Sequence, residues 1–226
     1  MNKHEKEFIE LIEQHRYQHG VYQIFKDFCS CLVCAINSPL ENTEENEKRY
    51  AEIIKQYDDT SETIKLFADL YNVLILAMED KPFTDVLGSI YMQLDLADKK
   101  SLGQCFTPSG VSQLCASLTA SDVDAHIERD GFVAINDCCV GGGSMVLQFA
   151  ERLKRKGYNP QRQLCVICND IDGLCVDLAY IQLSLNGIPA IVSRGNTLTQ
   201  EFTQHYRTPM WIIYGFDYKY RRLKNE

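Results

Sequence analysis

The sequence contains no Pro-Pro pair: its six prolines, Pro39, Pro82, Pro108, Pro160, Pro189 and Pro209, all stand apart. It has no run of about 18 apolar residues, which excludes a membrane-spanning helix. The opening residues, MNKHEKEFIE, carry no apolar stretch of the kind a secretory signal needs. No Gly-Lys-Ser/Thr follows a glycine, which excludes a P-loop. The five histidines, His4, His15, His19, His126 and His205, are scattered and make no metal-ligand spacing. Ten cysteines without a secretory signal are expected to be reduced thiols in a cytoplasm. A chain of 226 residues, 45% of them apolar, suits one soluble domain or one domain with a helical extension.

The net charge of −8 argues against nucleic-acid binding by bulk charge alone. It is unevenly spread. Residues 1–100 hold 11 Lys and Arg against 19 Asp and Glu, and residues 101–226 hold 12 of each, so the acidic excess belongs to the first half. The second half is neutral but patchy. Arg152, Lys154, Arg155 and Lys156 form one basic cluster, and Lys219, Arg221, Arg222 and Lys224 form another. Each reads as a solvated face or as a set of phosphate contacts.

The two halves also differ in period. In the first, Phe25, Phe28, Cys29 and Leu32 fall at helical spacing, and Ile64, Phe67, Tyr71, Leu74, Ile75 and Met78 repeat it. Residues 37–48 are polar and are expected to form a loop leading to a helix near Tyr50–Tyr57. Glycine is absent from Tyr22 to Phe83, which fits packed helices.

The second half alternates. An apolar run at Phe132–Ile135 leads through glycines to a helical pattern at Met145, Val146 and Phe149. A second run, Leu164–Cys168, precedes a helix carrying Leu174, Leu178, Ile181 and Leu185, with Asn186-Gly187 as its stop signal. Ile188–Val192 reads as a third strand and Trp211–Tyr214 as a fourth. Strands alternating with helices at this spacing predict a doubly wound parallel sheet.

Between the first strand and its helix lies Asn136-Asp137-Cys138-Cys139-Val140-Gly141-Gly142-Gly143-Ser144. Glycines there allow positive φ and close backbone approach to a ligand, and the free N–H groups of the next helix favour an anionic group. The dinucleotide fingerprint is incomplete, because Val146 stands where a third Gly or Ala belongs. A plain strand–helix turn remains an alternative. Asp170 and Asp172 follow the second strand, where a carboxylate reaches ribose hydroxyls. Asn196 follows the third, where its amide reaches an adenine edge. The three ends are expected to meet at a topological switch point.

Several of these segments look familiar. Gly103-Gln104-Cys105-Phe106-Thr107-Pro108 resembles the Gly-Gln-x-Phe/Tyr-Thr-Pro segment of N6-adenine DNA methyltransferases of the restriction–modification type. Asp137–Gly143 is similar to that family's Asp-Pro-x-x-Gly-x-Gly loop. Ala179–Pro189 with Gly195-Asn196-Thr197-Leu198 is similar to its third-strand region. The resemblance covers roughly residues 83–210. It implies a Rossmann-like methyltransferase sheet over 101–226, shortened after the fourth strand, preceded by a helical domain over 1–100. It implies S-adenosyl-L-methionine as cofactor. Phe106 and Thr107 are then expected at the methionine end, Asp137, Gly141 and Gly143 beneath the cofactor, Asp170 and Asp172 at the ribose, and Asn196 at the adenine. DNA and a partner protein are the implied partners.

Against the family, Cys138 replaces a usual Pro and Asn196 a common Asp. The family's Asn/Asp-Pro-Pro-Tyr/Phe motif, which holds and stacks the flipped adenine, needs the Pro-Pro that this sequence lacks. The substitute expected after a fourth strand at Trp211–Tyr214 is Gly215-Phe216-Asp217-Tyr218, with Asp217 as acceptor and Tyr218 as stacking ring. A different reading is a non-catalytic, cofactor-binding assembly module. A nicotinamide oxidoreductase leaves residues 103–108 unexplained.

Two C-x-x-C pairs remain, Cys31-Leu32-Val33-Cys34 and Cys165-Val166-Ile167-Cys168. In a strand, positions three apart face opposite sides, so the second pair does not converge on a metal. Both read as small buried hydrophobes, and no metal site is expected. Cys138 and Cys139 lie near a helix N-terminus, which raises the question of reactivity.

Overall fold

In a computed structural model of the chain, the described residues are 1–41, 43–96 and 107–225. The chain divides into two compact units, Met1–Phe106 and Thr107–Glu226.

The first unit is helical: α1 (Lys3–Gln14), α2 (Arg16–His19), α3 (Val21–Asn37), α4 (Thr43–Ile54), α5 (Thr60–Asp80) and α6 (Val86–Gln93). Asn2 and Glu5 form a reciprocal capping box at α1. Asp59 caps α5 by accepting from the Glu62 backbone N–H at 2.9 Å. The expected face of α3 is buried, with Phe25 and Phe28 packed edge-on against Phe8 of α1. Two expectations change. The loop after α3 is shorter, because Thr43 opens α4 with Glu44 and Glu45 in its first turn, where acidic groups suit the helix dipole. On α5 the expected Phe67, Leu74 and Met78 are buried, together with Leu66, Leu70, Val73 and Ala77, while the expected Ile64 and Tyr71 face solvent. This helix is apolar on more than one side, so its spacing matches two stripes and only packing selects between them.

The second unit is α/β. Its elements are α7 (Ser109–Thr119), α8 (Val123–Asp130), β1 (Val133–Asp137), α9 (Ser144–Arg155), α10 (Pro160–Gln163), β2 (Leu164–Asp170), α11 (Gly173–Leu185), β3 (Ala190–Asn196), β4 (Glu201–Arg207), α12 (Pro209–Ile213) and α13 (Phe216–Asn225). The sheet order is β1-β2-β3-β4. The first three strands are parallel and β4 is antiparallel to β3. Helix α11 is buried almost all round, as its unbroken apolar sequence requires.

Here the structure corrects the sequence reading twice. Trp211 to Ile213 lie in helix α12, not in a strand. Thr208 fixes the approach, its hydroxyl donating to Ile188 O at 2.7 Å and accepting from Ala190 N at 2.8 Å. Pro209 then stands at the first helical position, where its fixed φ favours a helix. The fourth strand is instead the polar segment Glu201–Arg207, which pairs along one side of β3 and stays largely exposed. The strand order also runs without reversal among the described residues, so the three parallel ends form a row and not a switch point.

Candidate functional site

The strands of the row are staggered. Asp137, the last residue of β1, pairs with Cys168, so Asn169 and Asp170 overhang β1. Asp170 pairs with Arg194, so Gly195 and Asn196 overhang β2 in turn. Each overhang places polar groups beside the loop that follows β1.

Asn169 and Asp170 hold that loop at three points. Asn169 O accepts from Val140 N at 3.0 Å. The buried Asn169 side chain donates from Nδ2 to Cys138 O at 3.2 Å and to Thr197 Oγ1 at 2.7 Å. Thr197 Oγ1 in turn donates to Cys138 O at 2.9 Å. Asp170 Oδ2 accepts from Gly141 N at 2.9 Å, and its Oδ1 accepts from Asp172 N at 3.0 Å. From below, the buried Gln182 Nε2 donates to Gly142 O at 2.6 Å.

The glycines make this path available. Gly141 (φ 53°) and Gly143 (φ 89°) take the left-handed backbone, and Gly143 N closes the turn on Val140 O at 2.8 Å. Gly143 is the cap residue of α9. The N–H groups of the first turn of that helix have no helical acceptor and favour an anionic or carbonyl group. Ser144 ties the start of α9 to α7 through a buried hydroxyl contact with Ser112 at 2.9 Å.

Asp137 bends over its own turn, accepting from Cys139 N at 3.2 Å. Burial raises its pKa, the Cys139 N–H partly offsets that, and the nearby Asp170 carboxylate raises it further. Asp172 caps α11, accepting from Leu174 N at 3.0 Å on Oδ1 and from the Cys175 thiol at 3.7 Å on Oδ2. Asn196 Oδ1 accepts from Leu198 N at 2.9 Å, which turns the chain out of β3. Thr107 is exposed, and Phe106 lies outside the described residues.

Asp137, Gly141, Gly143, Asp170, Asp172 and Asn196 therefore stand at one end of the sheet. Asp217 and Tyr218 do not join them. Asp217 accepts from Trp211 Nε1 at 3.1 Å and pairs with Arg207 Nε at 3.5 Å. Arg207 is paired with Ile191, five residues before Asn196, or roughly 16 Å along β3. Trp211 belongs to a cluster with Phe132, Cys165 and Phe216, beside the strand beginnings. Tyr218 is exposed on α13. Asp217 and Tyr218, expected as the catalytic pair, thus lie toward the other end of the sheet, where helix α12, opened by Pro209, carries the chain.

The loop-holding residues Asn169, Thr197 and Gln182 escape a sequence reading. The one available signal was a polar residue closing an apolar strand, at Asn169. The buried thiols Cys165 and Cys168 are raised by desolvation, Cys165 to about 12, as befits packing groups. Among the described residues no helix is long and apolar enough to cross a membrane.

Compared with known families, residues 83–218 match the family described as N-6 DNA Methylase, which is more than half of the chain. Among solved structures, the chain is similar to a class I S-adenosylmethionine-dependent methyltransferase from Listeria monocytogenes. The identity is 15% and the TM-score 0.43, over 85% of this chain and 53% of that one. It is also similar to the type I restriction-modification system methyltransferase subunit from Streptococcus thermophilus, at 13% identity and TM-score 0.41, over 89% of this chain and 59% of that one. The chain thus spans little more than half the length of these solved chains. No curated protein sequence matches it.

Proposed function

The chain belongs to the N-6 DNA methylase family, and on that premise we propose that the row of strand ends binds S-adenosyl-L-methionine for adenine-N6 methylation of DNA. The observation that carries the reading is the bond from Gly141 N to Asp170 Oδ2. It joins the glycine loop to an acid at the end of β2, so one fixed unit presents both a backbone cradle and a diol acceptor.

The donor set suits that cofactor. Each oxygen of Asp170 already takes one backbone N–H and keeps a second lone pair, enough for two ribose hydroxyls. The left-handed Gly141 and Gly143 give the loop a backbone path that other residues rarely adopt. The first turn of α9 offers N–H groups to a carboxylate. Asn196 keeps its Oδ1 in the turn, which leaves its amide N–H groups to face an adenine. Thr107 and Phe106 are proposed for the methionine end. Asp172 supports Asp170 from its capping position and is proposed as a neighbour of the ribose. Bound S-adenosyl-L-methionine supplies the methyl group.

The place of Asp217 and Tyr218 argues that the acceptor for the target amino group comes from elsewhere in the assembled enzyme. In this reading DNA and a partner subunit of a restriction–modification system complete the site. Restriction–modification takes place in the cytoplasm, which is the proposed location. The helical unit and the α/β unit are proposed as separate domains with the boundary near residue 100.

Calorimetric titration of the chain with S-adenosyl-L-methionine tests this. Heat of binding is expected for the wild type and a weakened signal for Asp170→Asn, which keeps the size but loses acceptor capacity. Absence of heat with the wild type overturns the proposal.

A further inference from the structure

The helical unit carries a cavity of its own, of about 160 Å3, between α2, the start of α3 and the first turns of α5. Its floor is apolar and buried, formed by Ile24 and Leu66. Its rim is acidic. Asp58, Asp59 and Glu62 are exposed there, and no Lys or Arg is among the described residues that line the cavity. The half-buried His15 and His19 stand between floor and rim.

The two histidine rings are fixed. His15 Nδ1 lies 3.0 Å from Leu11 O. A carbonyl oxygen only accepts, so Nδ1 carries the proton, and the uncharged ring offers Nε2 as an acceptor. That Nε2 faces Glu62 Oε1 at 3.8 Å. Two acceptors therefore confront each other, too far apart for a direct hydrogen bond. The His19 ring packs on that of Tyr57 with centroids 4.3 Å apart. Tyr57 turns its hydroxyl away, donating to Asp27 Oδ2 at 2.9 Å, so it gives the cavity ring surface only.

The first turn of α5 adds acceptors and not donors. Glu62 N donates to Asp59 Oδ1 at 2.9 Å and Thr63 N to Asp59 O at 3.0 Å. The usual preference of a helix start for an anion is thereby met from within. What this turn presents to the cavity is carboxylate.

The lining is thus ordered by depth. An opposed pair of acceptors is satisfied by one group with several N–H donors and a positive charge, and an apolar floor by a hydrocarbon chain. Cavities of about 150 Å3 take a ligand the size of benzene, which leaves room for a small head group with about three carbons. We propose that this cavity binds a short primary alkylammonium ion, chain first, with its ammonium group held at the rim between His15 Nε2 and the Glu62 carboxylate. Asp58 and Asp59 add attraction at the rim. The order of the lining sets the source of the amine. A lysine side chain offered by another protein would enter head first and bring its charge against Ile24 and Leu66, whereas a free amine places its chain there. This inference concerns the helical unit and stands whether or not the crevice takes S-adenosyl-L-methionine.

The test titrates the full chain with n-propylammonium chloride at constant ionic strength and neutral pH, followed by NMR. Saturable shifts of the His15 and His19 ring resonances are expected, with nuclear Overhauser contacts from the propyl methyl to the methyls of Ile24 and Leu66. Ammonium chloride (head without chain), n-propanol (chain without head) and tetramethylammonium (charge without N–H) are each expected to bind more weakly. Asp58→Asn combined with Glu62→Gln is expected to weaken binding about tenfold, as the loss of two partly exposed charge pairs implies. Glu79→Gln, on α5 but outside the lining, is expected to leave it unchanged. Circular dichroism of each variant separates loss of the site from loss of the fold. Shifts that never saturate overturn the proposal, as do equal binding of tetramethylammonium, unchanged affinity in the folded double variant, or propyl contacts to other methyls only.

Discussion

The side-chain amide of Asn169 donates to Cys138 O at 3.2 Å, joining the overhanging end of β2 to the loop that leaves β1. The same residue accepts from Val140 N through its backbone and reaches Thr197 beyond β3. One buried residue thereby links all three parallel strand ends. Replacing it by Ala removes both side-chain bonds and leaves Cys138 O with Thr197 alone. Loss of a buried hydrogen-bonding group costs about 1–3 kcal/mol. Asn169→Ala is expected to lower the urea midpoint by that order. It is also expected to raise hydrogen exchange at Gly141 more than in the helices of the first unit. Unchanged exchange at Gly141 would show that the loop holds without Asn169.

Two glycines separate two physical causes. Gly143 has a left-handed backbone, and an added Cβ would make only ordinary contacts, the nearest with Leu183 Cδ2 at 3.8 Å. Gly143→Ala is expected to cost about 1–2 kcal/mol from backbone strain alone. Gly195 has no such φ, yet an added Cβ would strike Glu201 O and the Phe202 ring at the β3–β4 bulge. Backbone is among the obstructing atoms, so relief requires β4 to move. Gly195→Ala is expected to cost about 1–3 kcal/mol by overpacking. Its signature is loss of protection along β4, which Gly143→Ala does not cause. Hydrogen exchange with denaturant titration reads both.

Much of the second unit was legible because its apolar runs are short and bounded by glycines or acids. Asp137, Asp170 and Asn196 each close such a run, and the strand ends bring them together. What was not legible depends on register. Nothing in Cys168-Asn169-Asp170 reveals that β2 overshoots β1 by two residues, and that overshoot gives Asn169 its loop contacts. Trp211 to Tyr214 misled for a related reason: four large apolar residues fit a buried strand or a buried helix equally well. The Thr208 bonds to Ile188 and Ala190 decide between them, and they form only when β4 returns along β3.

Asp137 gives the site a pH dependence whose sign follows from its raised pKa. A carboxyl group with a higher pKa in the folded state favours folding while protonated. Its contribution is full below the unfolded value of about 3.9 and is lost as pH rises through the folded value. Asp137→Asn keeps an oxygen for Cys139 N but carries no charge. The variant is therefore expected to melt higher than wild type at neutral pH, with the difference shrinking as the solution is acidified toward the ordinary aspartate range. Thermal melts across pH check this. A difference independent of pH would remove charge burial as the cause.

Asp217 offers the sharpest separation between stability and binding. It accepts from the indole N–H of Trp211, a fully buried ring, and neighbours Arg207. Asp217→Ala deprives that N–H of its acceptor, at a cost of about 1–3 kcal/mol if water does not replace it. Asp217→Asn keeps an oxygen at the same place and is expected to recover most of the loss. Neither change touches the strand ends that carry Asp170 and Gly141. Both variants are therefore expected to bind S-adenosyl-L-methionine with wild-type affinity, measured below their unfolding transitions. Weakened binding by folded Asp217→Asn would instead tie this residue to the cofactor. It would also overturn the separation of roughly 16 Å that the β3–β4 register places between Arg207 and Asn196.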